Sequence, residues 1–141
     1  MAALLDTNVL VYRVDPRDPE KQERARHLLR RGMEEGDLRI PHQALLEFVA
    51  ATTRPLPKGG CLLTAEEARR EVEELMLQFP ILCPDEGLMR LALRGWASYG
   101  FSWFDAHLWA YAEYFGLTTL YSEDFQTGRV YGTVRIENPF E

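Results

Sequence analysis

The chain has 141 residues, 46% hydrophobic and 27% charged, which suits one domain with a sizeable core and excludes a disordered or low-complexity polymer. A net charge of −6, from 22 acidic against 16 basic side chains, argues against gripping nucleic acid by bulk electrostatics, although acids loaded with divalent cations can still hold a phosphate. No apolar run approaches a membrane span, no basic-then-apolar leader opens the chain, and Cys61 and Cys83 lack the spacing of a thiolate metal site or redox pair, so a cytoplasmic protein without membrane association is expected.

The opening run Ala2-Ala3-Leu4-Leu5 does not alternate, as in a strand buried on both faces of a parallel sheet, and it ends in the polar turn Asp6-Thr7-Asn8. After a short segment through Tyr12 and the breakers Asp15-Pro16-Arg17-Asp18-Pro19, Asp18 is an N-cap with Pro19 at the first helical position. The helix is expected to run to about residue 34 and to stop at Gly36. Residues 38–40 suit a short strand, and Pro41 opens a helix to about Thr53, closed by Arg54-Pro55-Leu56-Pro57. Thr64-Ala65-Glu66-Glu67 has capping-box spacing and predicts a helix to about Gln78; residues 81–83 are a candidate strand. Pro84 starts a helix to about Tyr99, Gly100 ends it, and Ser102 caps the next one, through Phe115 to the stop at Gly116. Residues 117–121 and 133–136 are the last expected strands. Strands alternating with helices predict a right-handed α/β fold with a mainly parallel sheet, over residues 1–141 without a domain boundary.

Asp6 stands at the carboxyl end of the first strand, the edge where α/β proteins place their sites. In the helix from His42 to Thr53, Leu45, Leu46, Phe48, Val49 and Ala50 cover most of the circumference, so this helix is expected to be buried. Gln43, Glu47 and Arg54 share one narrow polar stripe of it; the plainer reading makes Glu47 a partly exposed partner of Arg54. Asp105 shares its face with Leu108, Trp109 and Ala112, where an unpaired carboxylate costs several kcal/mol, although Ser102 and Asp105 also have the spacing of a capping pair. Asp124 follows a strand end in Ser122-Glu123-Asp124-Phe125, a setting common for turn residues, and Glu123 competes with it for the same role. Convergent carboxylates coexist by binding cations or holding protons, so Asp6, Glu47, Asp105 and Asp124 together suggest a divalent-metal site. Lys21, Arg24, Arg26, Arg30 and Arg31 read as a solvated helix face rather than an RNA guide, and His27 and His42 as surface or capping residues. Trp96, Trp103 and Trp109 could stack bases, but core or dimer contacts are expected for at least two of them.

Asp6-Thr7-Asn8-Val9-Leu10-Val11-Tyr12, Gln43 to Glu47 followed by Arg54, Ser102-Trp103-Phe104-Asp105-Ala106 and Ser122-Glu123-Asp124-Phe125 resemble the ordered motifs of PIN-domain nucleases, over nearly the whole chain. Within that family the chain looks most like the VapC-type toxins of toxin-antitoxin modules, also in its ending, Gly128-Arg129 to Asn138-Pro139-Phe140. The resemblance implies a single three-layer α/β/α domain in which Asp6, Glu47, Asp105 and Asp124 form the acidic site and Thr7, Asn8 and Ser122 support it by hydrogen bonds. It further implies Mg²⁺ or Mn²⁺ as cofactor, RNA as substrate, a homodimer, and a cognate antitoxin that occupies the site. The residue after Ala106, usually aliphatic in such proteins, is His107 here, a titratable group near the Asp105 helix.

The chemistry expected of such a site is endoribonucleolytic hydrolysis by metal-activated water, which needs no serine, cysteine or histidine nucleophile. Two other classes compete with it. A catalytically weak module of the same fold would dock RNA or a protein, but has no chemical reason to keep four mutually repelling acids. A phosphatase using Asp6 as nucleophile commonly has a second acid two residues later, where this chain has Asn8.

Overall fold

The computed structural model describes residues 2–141. Its strands are β1 (Ala3–Leu5), β2 (Leu38–Pro41), β3 (Ile81–Leu82), β4 (Thr119–Tyr121), β5 (Val130–Tyr131) and β6 (Val134–Glu137). They are interleaved with six helices: α1 (Thr7–Val14), α2 (Pro19–Glu35), α3 (His42–Thr53), α4 (Ala65–Gln78), α5 (Glu86–Tyr99) and α6 (Trp103–Tyr114). The sheet order is β3-β2-β1-β4-β6-β5, parallel throughout except for the β5–β6 hairpin. The mainly parallel α/β architecture expected from the sequence is therefore present.

Side-chain alternation along β1 creates the layers. Ala3 and Leu5 enter one apolar cluster with residues of α1, α2, α3 and α4, whereas Leu4 enters a second with residues of α5 and α6. Both faces of the strand are closed to water, which is why its sequence is uniformly apolar. Each fully buried leucine of this layer contributes roughly 1.5–3 kcal/mol.

Local signals fix the helix ends. The Asp18 carboxylate accepts from the Lys21 N–H, Thr64 and Glu67 complete a reciprocal capping box, and Gly36 ends α2 in the left-handed region at φ 69°. The helix expected from Pro84 starts later, at Glu86, because the Asp85 carboxylate caps the Leu88 N–H. Three further expectations need correction. The polar turn after Asp6 is the start of α1, which Asp6 itself caps. Strand β5 precedes the expected last strand, held in part by the Trp109 indole N–H donating to the Tyr131 carbonyl at 3.0 Å. Finally α3 is not buried all round: Leu46 and Val49 are 61% and 39% exposed.

The basic residues of α2 lie on an exposed face apart from Lys21, and His27 and His42 are exposed. Trp109 is core, while Trp96 meets Trp103 edge-on at the surface with ring centroids 5.1 Å apart. Cys61 and Cys83 are exposed free thiols. Among the described residues no helix is long and apolar enough to cross a membrane.

Helices α5 and α6 approach closely because Gly95 leaves room for the Trp109 ring, which a Cβ would overlap. Adding one methyl group in such a tight position costs about 1–3 kcal/mol, more than the helix-propensity gain of about 1 kcal/mol. Gly95→Ala should therefore lower the urea midpoint at an unchanged m value; a midpoint at or above that of the parent protein would show that the layer has slack.

Candidate active site

The strand order reverses between β1 and β4, whose connections leave toward opposite edges of the sheet. Such a switch point opens a crevice at the strands' carboxyl ends. The Asp6 N–H donates to the Tyr121 carbonyl at 3.0 Å, carrying the β1–β4 pairing one residue beyond the strand. The carboxylate of Asp6 is 3% exposed. One of its oxygens caps α1 by accepting from the Thr7 N–H at 2.6 Å. The other accepts from the Ser122 hydroxyl at 2.6 Å and the Asn8 side-chain amide at 3.3 Å.

Asn8 then reaches across the crevice. Its Nδ2 also donates to Asp124 Oδ2 at 3.1 Å, so a single amide bridges two carboxylates on neighbouring strand ends. Ser122 works from the other side, accepting from the Asp124 N–H at 3.1 Å while its hydroxyl donates to Asp6. Glu123, left open as an alternative to Asp124, is engaged elsewhere: it accepts from the Tyr12 hydroxyl at 2.6 Å and from Lys21 Nζ at 2.9 Å. Asp124 is thus the acid that meets Asn8.

Glu47 accepts from the Thr7 hydroxyl at 3.0 Å and from Gln43 Nε2 at 3.2 Å, the helical i,i+4 neighbour. The same Gln43 nitrogen donates to the Phe104 carbonyl at 3.2 Å, tying α3 to the first turn of α6. Asp105 lies in that turn, its N–H donating to the Ser122-independent cap Ser102 Oγ at 3.2 Å. The Glu47–Arg54 pair is not formed among the described residues; both instead line a groove of about 450 Å³ with Thr7, Asn8 and Asp124. His107 packs half-buried against Trp103, edge-on with ring centroids 4.5 Å apart, and burial lowers its pKa.

The acids form one electrostatic unit. Burial is the main reason the Asp6 pKa rises to about 7; the charges of Asp124 and Asp105 add to it, against the opposing hydrogen bonds from Ser122 and Thr7. Burial also raises Asp105, with the charges of Asp124 and Glu47 adding and the Ser102 hydroxyl opposing. Among the described residues no three His, Cys, Asp or Glu side chains are drawn together closely enough to enclose an ion. The arrangement is a set of mutually repelling carboxylates rather than a closed cage. Its donors nonetheless fit a hard divalent cation: they are all oxygens, and the buried Asn8 Oδ1 has no hydrogen-bond partner among the described residues.

A model of the PIN domain matches residues 3–132 of this chain. No curated protein sequence matches it. Among solved structures, the fold is similar to VapBC2 from Rickettsia felis bound to a promoter DNA fragment, with 14% identity, TM-score 0.69 and 98% of each chain covered. It is also similar to DNA-bound VapBC from Salmonella typhimurium, with 18% identity, TM-score 0.68 and coverage of 99% and 98%. A third similar structure is VapC20 of Mycobacterium tuberculosis, described as a Sarcin-Ricin loop cleaving toxin, with 13% identity, TM-score 0.66 and coverage of 87% and 90%.

The raised Asp6 pKa has a stability consequence with a definite sign. A folded value of about 7 against an ordinary 3.8 means that the folded state holds more protons between these pH values, so metal-free stability falls as pH rises across that window. Asn at this position keeps the cap and removes the charge. In EDTA, Asp6→Asn should be more stable than the parent at pH 8, by on the order of 4 kcal/mol, with the difference vanishing near about pH 4. Thermal melts across pH measure it; a difference that does not depend on pH would overturn the electrostatic account.

Proposed function

The chain belongs to the PIN domain family, and on that footing we propose that it is a divalent-metal-dependent endoribonuclease, the toxin component of a toxin-antitoxin module. The observation that carries this reading is the bridging of buried Asp6 and exposed Asp124 by Asn8, with Asp105 and Glu47 close enough to add charge effects within the same group of acids. Holding such a group together without a cation costs stability, and its oxygens suit Mg²⁺ or Mn²⁺.

In this reading Asp6, Glu47, Asp105 and Asp124 hold the metal. Bound there, the cation supplies Lewis acidity that activates water for in-line attack and offsets charge on the phosphodiester. Asp6 is kept in place by Ser122 and by its cap on α1, and Asn8 sets the separation of Asp6 from Asp124. Thr7 orients Glu47 toward the same crevice. Because burial raises the Asp6 pKa, a cation held there would compete with a proton for its carboxylate. The similar VapBC structures support a cognate antitoxin as partner, and the exposed apolar side chains Leu46, Val49, Leu93 and Trp96 are compatible with a homodimer or antitoxin contact.

A second reading, a module that docks RNA or protein with little catalysis, is favoured by the absence of a closed ion cage among the described residues. Cleavage separates the two. Purified protein given a mixed RNA pool should cut with Mg²⁺ or Mn²⁺ and not in EDTA, and Asp6→Asn and Asp105→Asn should each lose at least about 100-fold in rate while remaining folded, a loss on the scale of removing a key electrostatic group. Undiminished cutting by either variant, or metal-independent RNA binding without turnover, would reject the nuclease reading.

A further inference from the structure

Two exposed side chains beside the acids have no ion-pair, hydrogen-bond or aromatic partner among the described residues. Arg54, the C-cap of α3, is exposed and makes no ion pair or side-chain hydrogen bond among the described residues, although it lines the groove that contains Glu47 and Asp124. The neighbouring cations Arg13, Arg17 and Lys21 are each engaged in an ion pair at 2.9 Å, with Glu71, Asp15 and Glu123 respectively. Arg54 is therefore the uncommitted guanidinium of a groove whose other charges are negative or neutralised.

Phe104 is the second. Its ring is 62% exposed and has no aromatic partner among the described residues, in contrast to nearby Phe101, which packs against Tyr99, Trp109, Phe125 and Tyr131. Yet its backbone is fixed, because Gln43 Nε2 joins the Phe104 carbonyl to Glu47 Oε1 at 3.2 Å each. An exposed aromatic on a restrained backbone, one residue before Asp105, offers a flat face at low ordering cost. Arg54 lies eleven residues beyond Gln43 along α3, roughly 16 Å of helix axis, with Glu47 between them.

We propose that Phe104 and Arg54 are the two ends of a track for a single RNA strand crossing the acidic site, an inference that rests on the nuclease reading. Phe104 stacks the face of an unpaired base, which a duplex keeps covered. Arg54 binds a backbone phosphate on the other side of the acids, where a planar fork of donors suits two phosphate oxygens. In a chain of net charge −6, this one free guanidinium in the groove offsets repulsion between the acids and the strand.

The test is fluorescence-anisotropy binding of a short unstructured RNA to the full chain carrying Asp6→Asn, titrated over salt. Adding Arg54→Gln should flatten the dependence of log K on log[salt] by about 0.7, the share of one phosphate on a single strand, while Arg54→Lys keeps the slope. Adding Phe104→Ala should weaken binding about tenfold at an unchanged slope, and Phe104→Trp should retain affinity. An unchanged slope in Arg54→Gln or unchanged affinity in Phe104→Ala overturns the track while leaving the nuclease reading intact. Absence of RNA binding by the Asp6→Asn parent overturns the track, whereas the nuclease reading stands or falls with metal-dependent cleavage by the unsubstituted chain.

Discussion

Everything at the acidic site depends on the parallel pairing of β1 with β4. The two strands come from distant parts of the sequence, and their register sets Leu5 beside Tyr121, so that Asp6 and the Ser122–Asp124 turn emerge side by side. The Asp6 N–H to Tyr121 carbonyl bond continues this pairing into the site itself. A slip of one residue would turn Leu4 and Leu5 to the wrong layers and move Asp6 away from Ser122. The apolar core and the position of the first acid are therefore one constraint.

Around that constraint the chain solves an electrostatic problem with neutral donors. Among the described residues no basic side chain pairs with Asp6; Ser122, Asn8 and the Thr7 N–H take that place. A lysine or arginine in the crevice would stabilise the acids and also neutralise them. Hydroxyl, amide and backbone donors orient the carboxylates without neutralising them, at a cost in stability. Of the cations near the groove, Lys21 is bound to Glu123 over the Tyr12 and Phe140 rings and Arg17 is bound to Asp15, whereas Arg54 at the groove's far end has no ion pair among the described residues.

Much of this was legible in the residues. Asp18, Thr64, Gly36 and Gly100 end helices where caps and left-handed glycines must, and the non-alternating first strand announces a sheet covered on both faces. Asp6, Glu47, Asp105 and Asp124 stand out as acids in apolar or strand-end settings; in the structure the charges of Asp124 and Asp105 act on Asp6, and those of Asp124 and Glu47 on Asp105. What was not legible depends on tertiary context. α1 is short and begins inside what looks like a polar turn; the Asp6 cap that starts it is also the first of the candidate acids. β5 has two residues and exists as half of a hairpin next to Trp109. The apolar circumference of α3 suggested burial, yet Leu46 and Val49 face outward, since periodicity cannot tell a core contact from a face left for a partner. The choice between Glu123 and Asp124 turned on Tyr12 and Lys21, whose proximity no local pattern reveals.

The central claim is that the four acids are kept together for a divalent cation, with burial raising the proton affinity of Asp6 until it arrives. Calorimetric titration of the protein with Mn²⁺ at pH 7, in two buffers of different ionisation enthalpy, tests this most directly by counting released protons. The raised pKa values of Asp6 and Asp105 predict saturable binding with proton release at pH 7 that shrinks as the pH is taken up to about 9. Absence of saturable binding, or binding whose proton release stays at zero across this range, would contradict the account.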